Sequence, residues 1–256
     1  MASELYNDGK HLCIGFCDLT LNGGGGVQSS QFLVIDGDHC ALIDPGGELI
    51  YKDLLMSSSE YMHGKTLDYV ISSHQYPDIL SSLREWLNDS NCTIVVSILW
   101  ERFVTDYIDH NFHGRIIGIP DGGTKIQLGN SELIAIPAHF LHSDGNFQFY
   151  DPVSKILFSG DMGASLFLRY SENINKPVED FDAHLSNIES FHRRYMSCNK
   201  VCRYWVNMVR ELDIEWIVPH HGRCFKGKPM VERFLRWIEE LQCGTDLVKQ
   251  DNYKIP

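Results

Sequence analysis

The sequence predicts an α/β protein of the α+β type, a single domain over residues 1–256 in which two mixed β-sheets pack face to face and helices cover their outer faces. Two observations carry this expectation. Strand-like runs followed by helix-like runs occur twice along the chain, with no low-complexity linker between the halves. Four of the strand-like runs then end on His or Asp: Leu67 to Ser72 before His74 and Asp78, Leu133 to Ala138 before His139 and His142, Lys155 to Ser159 before Asp161, and Ile214 to Val218 before His220 and His221. One such ending occurs by chance, whereas four in order describe a site gathered at one edge of a sheet.

Taken in order, the chain from Leu12 to Asp44 reads as β-structure, with runs at Leu12–Cys17, Gln28–Ile35 and Cys40–Asp44 and a hairpin turning at Gly37-Asp38. The four glycines Gly23–Gly26 suit a mobile loop or a close backbone approach, and their spacing is not a dinucleotide fingerprint. Asp44-Pro45-Gly46-Gly47 ends the hairpin, Glu48–Ser57 continues as a helix, and Asp44 is expected to cap or brace the turn. After a loop over Ser73–Asp78, a short helix over Ser81–Leu87, a strand over Cys92–Val96 and an amphipathic helix over Leu99–Ile108 follow. From Arg115 to Ser159 strands alternate with turns, and Thr124–Leu128 shows the polar-apolar alternation of a half-exposed strand. Asp180-Phe181-Asp182 opens a long helix whose apolar face includes Leu185, Ile188, Tyr195, Met196, Cys202, Trp205 and Leu212 and is expected to be core. A last strand leads into His220-His221-Gly222, and a helix over Met230–Leu241 closes the chain.

A net charge of −12 argues against affinity for phosphate backbones, so no nucleic acid partner is expected. The N-terminus has neither a basic flank nor an apolar h-region, and the run Ile94–Trp100 is cut off by Glu101 and Arg102. No secretion signal or membrane partner is therefore expected, and the chain reads as cytoplasmic. With no secretion signal expected, the eight cysteines are expected to be reduced and mostly buried, and Cys13/Cys17 and Cys198/Cys202, each four apart, lack the C-x-x-C spacing of a zinc knuckle or redox dithiol.

His74, Asp78, His142, Asp161 and His221 offer three imidazoles and two carboxylates. The set is too hard for copper(I) or iron-sulfur and too rich in nitrogen for calcium or magnesium, which leaves zinc, iron(II) or manganese(II). It also suits two ions, with Asp161 bridging, His74 and His142 facing one, and Asp78 and His221 the other. His139 is expected beside the pocket or at the surface rather than on a metal, and strand alternation points His220 away from the metal. His11, His39, His63, His110, His113, His184 and His192 stand in turn or helix contexts and are given no part in the site.

These residues carry a family resemblance. The sequence resembles the metallo-β-lactamase fold superfamily, an αββα sandwich, and within it the di-iron branch of flavodiiron proteins and smaller stand-alone oxygen-binding di-iron proteins. That branch has His-x-Glu-x-Asp-His, then His, Asp and His at long spacings. His74, Asp78, His142, Asp161 and His221 match, with 18 residues between His142 and Asp161 and 59 between Asp161 and His221. The flanks Leu141-His142, Ile156 to Asp161 and Pro219-His220-His221-Gly222 are also similar, and the likeness covers most of the chain, Val27 to Gly222. It implies those five residues as metal ligands and two iron ions in the Fe2+/Fe3+ couple, with zinc or manganese as alternatives; Asp44, His139 and His220 are expected around them as supporting residues on their positions alone. Dioxygen, or NO, is the implied small-molecule partner.

Two positions depart from the pattern. Tyr76 stands where the branch has glutamate and the hydrolases have histidine, and Ile79 replaces the last histidine of the first motif. Tyr76 could ligate a ferric ion as phenolate, donate a hydrogen bond to bound dioxygen, or fill space beside a water ligand. Ile79 cannot ligate, so the second metal is expected to be open or weakly held. The first functional reading is thus a non-haem di-iron protein that binds dioxygen, as a sensor with a signalling partner or as a slow O2 or NO reductase with an external reductase; a homodimer is compatible with either. Flavodiiron proteins draw electrons from a fused flavodoxin-type domain; here no phosphate-cradling glycine loop precedes a helix, so no FMN and no flavodoxin or rubredoxin domain is expected. The alternatives are a dinuclear-metal hydrolase, weakened by Tyr76 and Ile79, and a non-catalytic scaffold with a partial metal site.

Overall fold

The computed structural model describes residues 2–17, 19, 28–106, 108, 110–166 and 176–255, and the Gly23–Gly26 run lies outside them. A seven-stranded sheet follows chain order: β1 (Ala2–Asn7), β2 (His11–Cys17), β3 (Ser30–Asp36), β4 (His39–Ile43), β5 (Thr66–Ile71), β6 (Thr93–Ser97) and β7 (Ile116–Ile119). Pairing is antiparallel through β4 and parallel from β4 to β7. The second sheet has six strands: β8 (Thr124–Leu128), β9 (Ser131–Pro137), β10 (Phe147–Asp151), β11 (Ile156–Phe158), β12 (Trp216–Val218) and β13 (Phe225–Lys226), in the order β13-β12-β11-β10-β9-β8. It is antiparallel except for the parallel β11–β12 pair. Both sheets are therefore mixed.

Three apolar layers hold the sandwich. Phe32, Val34, Ile71, Phe147, Phe149 and Phe158 meet between the sheets. Helices α1 (Tyr51–Ser59), α2 (Pro77–Leu80), α3 (Leu83–Asp89) and α4 (Ile98–Val104) belong to the half of the first sheet, where Leu54, Leu83, Trp86 and Val104 join its outer core. Helices α5 (Phe181–Tyr195), α6 (Asn199–Val209) and α7 (Lys228–Glu240) do the same for the second, through Ile188, Trp205 and Phe234. Because β3 is covered on both faces it is buried along its whole length, which explains its continuous apolar run Phe32–Ile35. The hairpin expected at Gly37-Asp38 forms, with Asp36 opposite His39 and Gly37 at φ 61°.

Three expectations are corrected. The long helix from Asp180 to Leu212 is two helices: Asp180 caps α5 as expected by accepting the Ala183 N–H, but Met196 is extended and bridges to Leu141, and α6 starts anew after Cys198. Asp78 lies in the first turn of α2 rather than in a loop. His11 is not a turn residue but begins β2, buried between Asp36 and Asp151. Among the described residues no helix is long and apolar enough to cross a membrane.

Candidate metal centre

The strands β5, β9, β11 and β12 deliver their final residues to one edge of the sandwich. His74 follows β5, with its Nδ1 2.9 Å from Ser73 Oγ and its Nε2 buried without a partner. Tyr76 precedes α2, and Pro77 at the first helical position fixes the turn from which Asp78 projects. His142 follows β9 in a loop forced into left-handed backbone at Phe140 (φ 64°) and His142 itself (φ 89°). That loop is held by Phe140 N–H to the Ser143 carbonyl, by the Asn146 amide to the Leu141 carbonyl, and by Ser143 Oγ donating to Gln75 beside His74. Gly160, at φ 53°, presents Asp161 after β11. Gly222 lets the chain turn after His221: its φ is 84°, and a Cβ there would lie 1.9 Å from Ser165 Oγ.

Two groups of ligand atoms result. His74, His142 and Asp161 form one, and Asp78, His220 and His221 the other, with donor atoms in each group within 4.8 Å of one another. Asp161 stands between them: Oδ2 is 3.1 Å from His142 Nε2, and Oδ1 is 3.6 Å from His221 Nε2. Neither contact has hydrogen-bond geometry, since both His142 ring nitrogens and Asp161 Oδ1 lack partners. His221 Nε2 is also 3.7 Å from Asp78 Oδ2, while its Nδ1 donates to the Gln28 carbonyl at 2.6 Å, which leaves Nε2 as the free lone pair.

Burial sets the charges. It lowers His74 to about 4, and it lowers His142 as well, so both imidazoles are neutral, the form in which a histidine can ligate a metal. Burial would raise Asp161, but His221, His74 and His142 outweigh it and hold the carboxyl well below the usual range. Burial raises Asp78, partly offset by His221. Neutral imidazoles, an ionised central carboxylate and buried donor atoms with no partner together fit a pair of divalent cations.

The remaining positions separate. Tyr76 stays partly exposed, with its ring edge-on to His74 at 5.0 Å and to His142 at 4.8 Å. Burial and then the charge of Asp161 raise its phenol above the ordinary 10.0, so it is a hydrogen-bond donor. Ile79 is fully buried in the outer core of the first sheet. Asp44, expected to cap or brace its own turn, instead ties that turn to the segment of His74: its Oδ1 accepts the Ser73 N–H at 2.7 Å. His139 turns away to the Asp121 carbonyl at 2.8 Å and packs on Phe147. His220, expected to face away, points into the second group, with Nε2 4.0 Å from Asp78 Oδ2. Pro219 ends the strand, so alternation no longer governs the next side chain.

Two contributors escape the sequence reading. Tyr195, expected in the core, is half exposed and packs against His142 (5.4 Å) and Phe191 (4.7 Å) at the mouth of the site. His192, given no role, is fully buried: its Nδ1 donates to the Ile188 carbonyl at 2.7 Å, and its Nε2 accepts the Gly163 N–H at 2.8 Å in the turn that carries Asp161. The signal for both was their place on one helix near a His-rich edge, which no local pattern distinguishes from packing.

Residues 27–222 match the model of the ODP family of beta lactamases. A solved structure described as the peroxy di-iron species of the chemotaxis sensor ODP is 38% identical, with a TM-score of 0.86 over 98% of this chain and 99% of that chain. A structure described as the apo state of the chemotaxis sensor ODP from T. denticola is 36% identical, with a TM-score of 0.87 over 99% of each chain. A flavo-di-iron protein of Thermotoga maritima shares the fold at 18% identity and a TM-score of 0.75, over 93% of this chain and 60% of its own. Among curated proteins, an uncharacterised protein of Methanocaldococcus jannaschii is 26% identical over 220 residues, and diflavin flavoprotein A 1 of Synechocystis is 23% identical over 235. These alignments cover 83% and 87% of this chain but 53% and 38% of the relatives. The chain thus spans about half the length, or less, of the curated relatives it matches.

Proposed function

Because the chain belongs to the ODP family of beta lactamases, we propose that it is a non-haem di-iron protein that binds dioxygen and acts as a sensor of it. In this reading His74 and His142 would hold one iron and Asp78 and His221 the other, with Asp161, which faces both groups, available to each. The observation that supports it most is the set of buried donor atoms without partners at the strand ends: His74 Nε2, both His142 ring nitrogens and Asp161 Oδ1. When bound, two ferrous ions supply the electrons that dioxygen needs in order to bind.

The chain's own residues shape the rest. The Gln28 carbonyl keeps the His221 proton on Nδ1, away from the site. Phe191 and the rings of Tyr76 and Tyr195 surround His142 and shield it from water. The Tyr76 hydroxyl is the donor available to a small guest. Sensing is favoured over repeated reduction because it needs no electron supply beyond the bound ions, and the 38% identical neighbour is described as a chemotaxis sensor. Reduction of O2 or NO would draw on an external reductase, and signalling on a receptor partner.

The test is anaerobic loading with Fe(II), a metal count, and an absorption spectrum as air is admitted. Two irons per chain and a long-lived visible band on oxygenation are expected. Zinc retained through purification with no response to air would overturn the reading and direct attention to hydrolase substrates.

A further inference from the structure

His220 is fully buried, and neither of its ring nitrogens has a hydrogen-bond partner. An imidazole in that state is costly, because one N–H donor and one lone pair have left water with nothing in return. Both nitrogens nevertheless face chemistry. Nε2 is 4.0 Å from Asp78 Oδ2, in one cluster with His221 Nε2, and Nδ1 is 3.9 Å from Asp44 Oδ2. The backbone leaves the ring little choice of position: the His220 N–H donates to the Gly160 carbonyl at 2.7 Å, and its carbonyl accepts the Ser30 N–H at 2.7 Å. Asp44 is likewise fixed, through the Ser73 N–H on its other oxygen.

We propose that His220 is a ligand of the second metal through Nε2 and makes up for the histidine that Ile79 lacks, with Asp44 as the carboxylate that orients its Nδ1–H. The proposal rests on the di-iron reading above. A carboxylate behind a ligating imidazole fixes its tautomer and raises its basicity, and Asp44 is the one carboxylate close to the Nδ1 side of this ring among the described residues. The second site then holds Asp78, His220 and His221 with a share of Asp161, and is less open than the loss at Ile79 implies.

The experiment loads wild type, His220→Ala and Asp44→Asn anaerobically with Fe(II). Iron per chain, the affinity of each ion and the number of imidazole nitrogens around iron by X-ray absorption are then measured. Wild type is expected to show four imidazoles for two irons. His220→Ala should keep one tightly bound ion and weaken the other by more than ~100-fold, and Asp44→Asn should weaken the same ion by about 10–100-fold. Added imidazole should restore the second ion to His220→Ala.

Two irons bound with wild-type affinity by His220→Ala, or three imidazoles in wild type, would overturn the proposal. The imidazole count in wild type decides the matter should the alanine variant not fold. Failure of the di-iron reading itself looks different, since wild type would then not take up two irons at all.

Discussion

Tyr76 shows at the scale of one residue how substitution within a motif redirects a site. Its ring stands edge-on to His74 and His142, and its phenol, raised above the ordinary value, keeps its proton. Replacing it with phenylalanine keeps the packing and removes the donor. Tyr76→Phe is expected to bind the same amount of iron but to shorten the lifetime of the oxygenated band about tenfold, the loss of one hydrogen bond of about 1.5 kcal/mol. A lifetime equal to wild type, followed by stopped-flow absorption, would assign Tyr76 to packing alone. Asp161 faces ligand atoms on both sides, so Asp161→Ala is expected to abolish binding of both ions, measured as iron per chain after gel filtration. Residues of this kind were legible in sequence, because a His or Asp just past a strand is a local pattern. His220 was misjudged there, since the direction of a side chain beyond Pro219 is set by the Gly160 and Ser30 backbone bonds and not by alternation.

Helix α5 shows what an element adds that its own pattern does not reveal. One turn of it places Phe191 and Tyr195 against His142, and His192 under the turn bearing Asp161. His192→Ala would leave the Gly163 N–H and the Ile188 carbonyl short of a buried partner. A loss of about 1–3 kcal/mol is expected, read as a lower urea midpoint of the metal-free protein, together with weaker iron binding. Unchanged stability and affinity would show that the turn holds itself. The helix ends at Tyr195 although the apolar periodicity runs on, because Met196 pairs with Leu141 and the Ser197 N–H donates to the Phe140 carbonyl. No glycine or proline marks that break. Its cause is a segment more than fifty residues earlier, and the same pairing ties the helix end to the loop of His142.

At the scale of the whole molecule the sandwich is fastened at both ends. The candidate metal centre closes one. At the other, His11 of β2 lies between Asp36 of β3 (3.2 Å) and Asp151 of β10 (2.8 Å), while Asp36 Oδ2 accepts the Asn130 and Ser131 N–H groups of the second sheet. Cys13, Ser154 and the Val153 N–H also face Asp151, and the Tyr6 ring and Asp8 flank His11. Burial alone would lower His11, but Asp151 and then Asp36 outweigh it and raise it above its ordinary 6.5. Burial would raise Asp151, yet His11 holds it below 3.8. The stability from His11 is therefore complete below pH 6.5 and lost as pH rises through its raised value. That from Asp151 is present above pH 3.8 and lost as pH falls. His11→Gln is expected to cost about 3–5 kcal/mol between these limits, as a buried pair losing one partner does. The difference from wild type in urea unfolding should shrink above neutral pH. A difference that stays constant to pH 9 would mean that the contact is not ionic.

The sequence by itself determined the two mixed sheets with outer helices, the His and Asp endings of four strands, and the two departures at Tyr76 and Ile79. The sheets and strand endings follow from alternation, from runs of apolar residues and from side-chain chemistry, all of which act over a few neighbouring positions, whereas the two departures show only against the motif of the family that the sequence resembles. The tertiary structure alone decided that Tyr195 and His192 lie against the candidate site, that His220 turns inward, that one apolar stripe becomes two helices, and that His11 joins the sheets. Each of these depends on what another segment, distant in the chain, brings within a few ångströms, and short-range pattern carries no record of that.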